Sequence, residues 1–343
     1  MRCLQRLHRL VLSQPAQIDW FSALVARSLR SLSDAAPIKV RERYVSWLNH
    51  PAYIPLRDQL VKRLREKALE FKSLRPVAFL CGKQDSPNRD HLRAHLQSQH
   101  SELFVFYAET VWEYLADRGY NALEMENHLA RLSDIVIILV ESPGTLAELG
   151  AFALSGELRR KLLPILDVKY RDALSFINSG PIDLIDRSSA FSPAIFADFA
   201  PVLDAGYEVD ERIRRIKADR GQVHSIISIR RKPKHILFLL CDLVAIAGPL
   251  TSEHCEYYLA QILGSHGGWD TQSLLELARA LDLLDVILVG SEERLYYRPL
   301  TDGKLQSFQK ERRLELSDQR AAFLSVYQTI PEARSALDAL RET

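Results

Sequence analysis

The chain has few cysteines and no long apolar run. Its four cysteines are scattered among 343 residues without a C-x-x-C pair, so neither a disulfide framework nor a zinc site is indicated, and we expect no metal. The longest apolar runs have the length of a strand or are interrupted by charge, which argues against a membrane-spanning segment. No apolar run near the N-terminus is long enough for a signal peptide. These absences favour a protein of the reducing cytoplasm.

An excess of charge of one sign is also absent. The 45 lysines and arginines balance 44 aspartates and glutamates, which leaves a net charge of +1. Bulk charge therefore neither requires nor excludes a nucleic-acid partner, and only local patches of charge bear on that question. The apolar content of 47% and the charged content of 26% are those of a soluble globular protein, and the length predicts two or three domains.

Short apolar segments alternate with helical patterns in the middle of the chain. Strands are predicted at 77–81, 103–107, 135–140 and 162–168, and helices at 88–99, 110–119 and 122–132. This alternation predicts an α/β fold with a Rossmann-like, doubly wound parallel sheet. The stretch 175–201 is rich in loop-forming residues.

The segments on either side suggest further domains. We predict an N-terminal helical region over 1–74, the α/β domain over 75–207, a charged linker over 208–233 and a C-terminal domain over 234–343. The first region includes helical patterns at 4–11, 21–29 and 56–71. In the last, helices at 235–247, 252–263 and 272–281 precede a hairpin at 286–297, which is the element order of a winged helix.

The turn after the strand at 135–140 carries the residues of greatest chemical interest. Ser142 is predicted to cap a helix that has Pro143 at its first position. Glu148 is the only charged residue between Ser142 and Gly156. A carboxylate near a helix start at the mouth of a parallel sheet can ligate a metal, act as a base or attack an electrophilic carbon. Since no clustered metal ligands are present, attack at an anomeric carbon fits better.

Other polar residues are expected near Glu148. Gly144 and Thr145 provide backbone N–H groups and a hydroxyl for a sugar or phosphate, and Glu126 and Glu141 add carboxylates. Structural interpretations stay open for all of these positions. Stabilisation of a first-turn glutamate by the helix dipole also accounts for Glu148, and a capping role accounts for Thr145. A turn accounts for Gly82, and burial of a small side chain accounts for Cys81. Lys83 and Arg89 could contact a phosphate, but a solvated role is favoured for these surface cations. Glu124, Glu126 and Asn127 cluster on one helix, and for Glu126 and Glu109 a structural role is favoured over a functional one.

Three sequence stretches, VAFLCGK, SDIVIILV and ESPGTLAELGAF, resemble the nucleoside deoxyribosyltransferase-like family. The resemblance implies that Glu148 is the nucleophile on C1′, that Glu126 is its helper carboxylate, and that Gly82, Gly144 and Thr145 line the sugar site. Cys81, Glu141 and Ser142 flank these positions and complete the expected substrate-binding set. Enzymes of this family that exchange bases usually carry Asp in the turn where this chain has Ser142, which weakens the expectation of base exchange.

The three-part layout is similar to that of effector proteins from retron anti-phage systems of the Ec86/St85 sort. This resemblance implies a toxin that cleaves the N-glycosidic bond of NAD or a related nucleotide, with NAD as substrate and no cofactor. It also implies that a reverse transcriptase and its RNA–DNA hybrid (msDNA) hold the toxin in check, and that the protein forms a higher-order assembly.

The C-terminal region offers mixed signals for nucleic acid. Basic residues that could contact phosphates are Arg230, Arg231, Lys232, Lys234 and Arg294. The predicted helix 272–281 carries only one cation, Arg279, where a recognition helix usually carries several. A winged helix that contacts protein is therefore an equal alternative. For the whole chain, the alternative to an enzyme is a non-catalytic nucleotide sensor that binds DNA.

Overall fold

The computed structural model describes residues 46–66, 69–70, 74–109, 122–199, 202–216, 223–264, 270–290, 293–300 and 310–342. The described residues from Trp47 onward belong to one compact unit. The helical patterns predicted at 4–11, 21–29 and 110–119 lie outside the described residues. In the described stretches, no helix combines the length and the apolar character that crossing a membrane requires.

A five-stranded parallel sheet forms the centre of the fold. Its strands are β1 (Val77–Cys81), β2 (Phe104–Phe106), β3 (Ile135–Val140), β4 (Leu162–Asp167) and β5 (Ile195–Ala197). They lie in the order β2-β1-β3-β4-β5, and every neighbouring pair is parallel. The predicted α/β fold with a parallel, Rossmann-like sheet is confirmed.

One edge of this sheet was not predicted. The stretch 175–201, expected to be loop-rich, contains a π-helical turn (Asn178–Ile182), a helical turn (Asp183–Asp186) and strand β5. β5 has only three residues and pairs with β4 alone. An apolar pattern of this length does not distinguish a strand from a loop in the sequence.

Both faces of the central strand are covered. In β3 the residues Val136, Ile138 and Val140 belong to one core cluster, whereas Ile135, Ile137 and Leu139 belong to the other. Because successive side chains of a strand point to opposite faces, a strand buried on both faces needs an unbroken apolar run. Burying each of these side chains contributes about 1.5–3 kcal/mol to folding.

Helices cover the sheet on the two faces. Those before the C-terminal region are α1 (Ile54–Glu66), α2 (Pro87–Gln99), α3 (Ala122–Leu132), α4 (Pro143–Leu154), α5 (Gly156–Arg159), α6 (Asp183–Asp186) and α7 (Gly206–Ile213). Short 3₁₀ turns lie at Trp47–Asn49, Val168–Tyr170 and Val202–Ala205. Apolar residues of α3 and α4 belong to the first core cluster, and those of α2 and α7 to the second.

The helix predicted at 56–71 ends earlier than expected. α1 stops at Glu66, and the two residues Leu69–Glu70 pair antiparallel with Val223–His224. This partner lies more than 150 positions away along the chain, so the local helical pattern carried no sign of it.

Part of the predicted linker is folded against the sheet. Val209 and Ile213 of α7 are buried in the second core cluster. Asp210 accepts hydrogen bonds from His95 Nε2 (3.1 Å) and His100 Nε2 (2.9 Å), which attaches α7 to α2 and to the residue that follows it. The boundaries of the predicted domains stay a prediction.

The C-terminal region has three helices followed by a hairpin, as predicted. The helical turn α8 (Ile226–Ile229) lies in the predicted linker and precedes them. The elements of the C-terminal region are α9 (Pro233–Ala247), α10 (Ser252–Leu263), α11 (Thr271–Ala280), β6 (Leu284–Val289), β7 (Arg294–Pro299), α12 (Lys310–Tyr327) and α13 (Pro331–Glu342). β6 and β7 form an antiparallel pair, and Leu250 adds a single bridge to Tyr297. The element order agrees with a winged helix, and the assignment to that fold stays a prediction.

One apolar core continues from the sheet into this region. The first core cluster includes residues of β1 and β3 together with nearly all of α9. The rings of Phe104 and Phe238 lie 6.1 Å apart, which joins β2 to α9. The C-terminal helices are therefore packed on the α/β sheet through a shared core.

Candidate active site

The strand order places a crevice between β1 and β3. In an open parallel sheet with the order 2-1-3-4-5, the chain leaves β1 and β3 toward opposite sides, and ligands bind at the carboxyl ends of the strands at this switch point. Gly82 follows β1 and Glu141 follows β3 at this edge. Of the predicted site residues, Gly82, Glu141 and Ser142 therefore lie in the two loops that border the crevice, and Gly144, Thr145 and Glu148 follow in the first turns of α4.

Glu141 connects these two loops. Its carboxylate accepts a hydrogen bond from the backbone N–H of Lys83 (3.2 Å) and one from Nδ2 of Asn88 (3.3 Å). The contact joins the end of β3 to the loop after β1 and to the start of α2. Glu141 thus has a structural role, and its predicted contact with substrate stays a prediction.

The start of α4 is closed by a capping box between Ser142 and Thr145, so the predicted cap is confirmed. The backbone N–H of Thr145 donates to Ser142 Oγ (3.3 Å), and the backbone N–H of Ser142 donates to Thr145 Oγ1 (3.0 Å). The Thr145 hydroxyl also donates to the Ser142 carbonyl (2.9 Å) and accepts from the Glu141 N–H (3.1 Å). Thr145 is 1% exposed, which supports its capping interpretation over a sugar contact.

Gly144 is exposed at the same helix start. A Cβ atom built there would lie 3.7 Å from Ser142 Oγ, which is an ordinary contact distance. The fold does not require glycine at this position for space. Its predicted place in a sugar site stays a prediction.

Glu148 lies one turn into α4 and is half-buried. Its Oε2 atom is buried and has no hydrogen-bond partner. Burial, followed by the nearby Glu109, raises the pKa of Glu148 to about 7, against the lowering effect of Arg89. Burying a carboxyl oxygen without a hydrogen-bond partner lowers the stability of the fold. Such a group is therefore a candidate for a functional role.

Glu126 on α3 is the second carboxyl of the site. Burial, followed by the neighbouring carboxylates of Glu148 and Glu109, raises its pKa to about 8. Beside it on α3, Oδ1 of Asn127 is also buried without a hydrogen-bond partner. The side chain of Glu124 lies outside the described residues. At neutral pH Glu126 therefore mostly carries a proton, whereas Glu148 is about half ionised.

The surroundings of Arg89 and Glu109 differ most from those that the sequence predicted. Arg89, expected as a solvated surface cation, is 5% exposed, and its Nη1 lies 2.7 Å from Glu109 Oε1. Its guanidinium carbon lies 4.1 Å from the centroid of the Tyr107 ring. The spacing of Arg89 with Leu92 and Leu96 could have indicated this, because it places the arginine on the apolar face of α2.

The position of the Arg89 side chain requires a glycine at position 82. A Cβ atom at position 82 would lie 2.8 Å from Cδ of Arg89, closer than carbon atoms approach without displacement. The glycine therefore lets a buried arginine pass beneath the loop. The neighbouring Cys81 is 5% exposed, and its thiol pKa is raised by burial and then by Glu148, Glu126 and Glu109. Its interpretation as a small buried residue is supported.

The crevice is thus acidic and holds two carboxyls of different pKa. Glu109, Glu126, Glu141 and Glu148 outnumber the buried cation Arg89. An ionised carboxylate beside a protonated one can supply a nucleophile and a proton donor to the same substrate. In the part of the chain that the structure describes, no three His, Cys, Asp or Glu side chains are grouped as metal ligands.

The chain matches the model of a known protein family. Residues 85–287, more than half of the chain, match the family model described as the STM3845 retron effector protein. The chain belongs to the retron effector protein family. The membership predicted from the sequence is confirmed.

Two curated relatives of this retron effector are from Escherichia coli. The "Retron Ec86 putative ribosyltransferase/DNA-binding protein" is 32% identical over 185 residues, which cover 52% of this chain and 59% of the relative. The "Retron Ec73 putative ribosyltransferase/DNA-binding protein" is 34% identical over 253 residues, which cover 66% of this chain and 78% of the relative. The chain therefore spans less than two thirds of the Ec86 relative's length.

The cations predicted to bind nucleic acid have different surroundings in this retron effector. Lys234 Nζ lies 2.6 Å from Asp134 Oδ2, and the lysine side chain is 14% exposed. Nζ of Lys232 lies 3.4 Å from Nδ1 of His224. Arg230 packs on Gly264, where a Cβ would lie 2.7 Å from its Nη2 atom. Arg294 is near His254 and lowers the pKa of that buried histidine.

Three of these cations nevertheless share a cavity. Arg231, Lys232 and Lys234 line a space of about 250 Å³ together with Arg131 and Asp134. Arg231 is exposed. Lys234 is in part a structural residue because of its ion pair, so the predicted set is not one uniform surface patch.

Proposed function

We propose that this retron effector cleaves the N-glycosidic bond of NAD⁺ or a related nucleotide, with Glu148 as the nucleophile. The observation that carries the proposal is the buried, unpaired Oε2 atom of Glu148 next to a second carboxyl of higher pKa, Glu126. The printed names of both relatives, which give them as ribosyltransferases, support chemistry at a ribosyl carbon.

The reaction has two steps. An ionised oxygen of Glu148 attacks C1′, the C1′–N bond breaks with its electron pair going to the departing nitrogen, and a glycosyl ester forms on Glu148. Water then attacks C1′, the ester bond breaks and Glu148 is regenerated. Glu126 takes the proton from this water in its ionised form, which arises when Glu126 has given its own proton to the departing base or, for NAD⁺, to solvent. Two displacements at C1′ give net retention of configuration.

The acidity of the crevice favours a substrate with a cationic base. In NAD⁺ the nicotinamide ring carries a positive charge that ionised Glu148 attracts, and it leaves as a neutral molecule without needing a proton. A neutral base needs a proton when it leaves, and Glu126 could supply one because its pKa is about 8. We therefore place NAD⁺ before nucleosides with neutral bases.

The proposal is tested by the turnover of NAD⁺ with purified full-length protein, measured as nicotinamide released. We expect Glu148→Gln to reduce turnover by at least a hundredfold. Glu253→Gln is a matched control, because Glu253 is an exposed glutamate in the first turn of α10. Activity retained in Glu148→Gln would exclude this glutamate as nucleophile. Binding of nucleotide with no product from wild-type protein would instead favour a sensor.

We also propose that the cavity lined by Arg131, Arg231 and Lys232 contacts nucleic-acid phosphates. Family membership supports the RNA–DNA hybrid of a retron, held with its reverse transcriptase, as the partner, and the names of both relatives include DNA binding. Such a complex would hold the enzyme in check and could be part of a higher-order assembly.

Binding of a short RNA–DNA hybrid duplex, measured against salt concentration, tests this second proposal. Arg231→Ala should weaken binding and reduce the slope of log K against log salt by about one. Arg334→Ala is the control, because Arg334 is an exposed cation on α13. If Arg231→Ala and Arg334→Ala bind the duplex with the same affinity and the same salt dependence, the phosphates contact another part of the protein.

A further inference from the structure

We propose that the groove between α1 and α10 binds one nucleotide unit, with the base against the ring of Tyr257 and the phosphate beside Lys62 and Arg65. None of the residues that line this groove belongs to the crevice that holds Glu148 or to the cavity that Arg231 lines. The groove is therefore a separate site, and the proposal does not depend on the proposed function.

The helix α1 carries an excess of positive charge. Its 13 residues include four lysines and arginines and two acidic residues. Leu60 and Leu64 of this helix are buried in the core, so the cations lie on its remaining surface. A run of charge on a helix is most often a solvated face. The charge alone therefore indicates no site, and the evidence for one comes from what lies opposite.

The lining of the groove follows helical spacing on both sides. The residues from α1 are spaced i, i+3, i+4 and i+7, and those from α10 are spaced i and i+4, so each set lies on one side of its helix. They are Asp58, Val61, Lys62 and Arg65 of α1, and Tyr257 and Gln261 of α10. The two helices pack against each other. The groove has a volume of about 550 Å³, within the range of about 300–1,000 Å³ that is usual for small-molecule sites.

The ring of Tyr257 is held in place from outside the groove. The guanidinium carbon of Arg57 lies 4.9 Å from the centroid of this ring. Arg57 is itself fixed, because its Nε donates to Asp58 Oδ1 (2.8 Å) and its Nη1 donates to the Leu48 carbonyl oxygen (2.7 Å). Arg57 does not line the groove, so the part of the ring that faces the groove is not the part that the arginine covers. A half-buried aromatic ring of fixed orientation is a platform on which a base can stack.

The polar groups of the groove match the rest of a nucleotide. Lys62 and Arg65 are exposed, and their spacing of three residues places both charges on the same side of α1. Asp58, the carboxylate of the lining, is paired with Arg57, so the groove keeps an excess of positive charge for a phosphate. The amide of Gln261 can both donate to and accept from the edge of a base. An acidic peptide would use the cations but not the aromatic ring, so we favour a nucleotide.

The test is the binding of a fluorescent oligothymidylate of about ten nucleotides to the full chain, measured by fluorescence anisotropy. The parent protein carries Arg231→Ala, so that the cavity proposed for duplex phosphates contributes less. Tyr257→Leu should weaken binding by about tenfold or more, whereas Tyr257→Phe, which keeps the ring, should bind as the parent does. Tyr207→Leu is the matched control, because Tyr207 is an exposed tyrosine of α7. Equal affinities for Tyr257→Leu and the parent would overturn the proposal.

Arg65→Ala keeps the proposal testable if Tyr257→Leu does not fold. Arg65 is exposed, so its removal should be tolerated. The variant should bind more weakly, and the slope of log K against log salt should fall by about 0.7, as for one phosphate contact to a single strand. Arg334→Ala should leave affinity and slope unchanged, since Arg334 is an exposed cation of α13. An unchanged slope in Arg65→Ala would contradict the phosphate contact.

Competition identifies the source of the nucleotide unit. If free thymidine monophosphate displaces the oligonucleotide, the groove takes a free nucleotide; if only unlabelled strand displaces it, the groove takes single-stranded nucleic acid. Either result supports the site when it is lost in Tyr257→Leu. Displacement by polyglutamate that is equal in the parent and in Tyr257→Leu would show an unspecific basic surface and overturn the proposal. So would a parent protein that binds neither the strand nor the free nucleotide.

Discussion

Lys234 and Asp134 form an ion pair across 100 positions of the chain, with Nζ 2.6 Å from Oδ2. The same Oδ2 atom accepts a hydrogen bond from the backbone N–H of Val77 (2.7 Å). One carboxylate therefore joins the start of β1, the start of β3 and the start of α9. The pair connects the C-terminal helices to the amino-terminal edge of the sheet.

Removing one member of this pair should destabilise the fold. We expect Lys234→Met to lower the free energy of unfolding by about 1.5–3 kcal/mol, because it leaves a half-buried carboxylate without its cation. Chemical denaturation measures the change. Arg334→Met, which removes an exposed cation of α13, should leave stability unchanged. A Lys234→Met protein as stable as wild type would show that the pair contributes nothing.

The pH dependence of turnover should identify the class of base that leaves. For NAD⁺, which needs only ionised Glu148 in the first step, kcat/KM should rise with pH through about 7 and then stay level. For a neutral base, protonated Glu126 is also needed, so kcat/KM should fall again as pH rises through about 8. Steady-state rates for NAD⁺ and for a nucleoside monophosphate test both curves. A rate that falls as pH rises through 7 would contradict the role of Glu148.

Glu126 should also make the protein less stable at high pH. Its pKa is raised from 4.5 to about 8 in the folded state, so between these values the folded chain holds a proton that the unfolded chain has released. Stability therefore falls as pH rises through this window. Glu126→Gln should be more stable than wild type above pH 8, by on the order of 3 kcal/mol, and should gain little at pH 5. Denaturation of both proteins at the two pH values measures this, and Glu253→Gln should show no such difference.

Gly82→Ala should disturb the site through Arg89. The new Cβ would lie 2.8 Å from Arg89 Cδ, so the arginine must move, and we expect a loss of about 1–3 kcal/mol in stability. If Arg89 is displaced, the pKa of Glu148 should rise, because the arginine opposes the increase that burial and Glu109 cause. The matched control is Gly150→Ala, where the new Cβ has no atom within 4 Å apart from its chain neighbours and the backbone of its own helix, and the helix should gain up to about 1 kcal/mol. If Gly82→Ala and Gly150→Ala are equally stable, Arg89 moves away from the new Cβ without a loss of stability.

Much of the candidate site follows from local pattern. The unbroken apolar run of β3 predicts a strand buried on both faces, and Ser142 followed by Pro143 predicts a helix start, so the position of Glu148 one turn into that helix could be read directly. The strand Val77–Cys81 and the helix Ala122–Leu132 were predicted at the residues where the structure has them. These elements depend on residues that are neighbours in the chain.

Other features depend on partners that are distant in the chain. Arg89 and Lys234 look like ordinary surface cations in the sequence, yet one is buried against Tyr107 and Glu109 and the other pairs with Asp134. Strand β5 and the short pairing at Leu69–Glu70 exist only because another strand lies beside them. The sequence alone determined the type and place of the main elements and the position of Glu148 in its helix, since period and capping are local. Which charges are buried was decided by tertiary packing, because burial and electrostatic fields come from all the elements that surround a group.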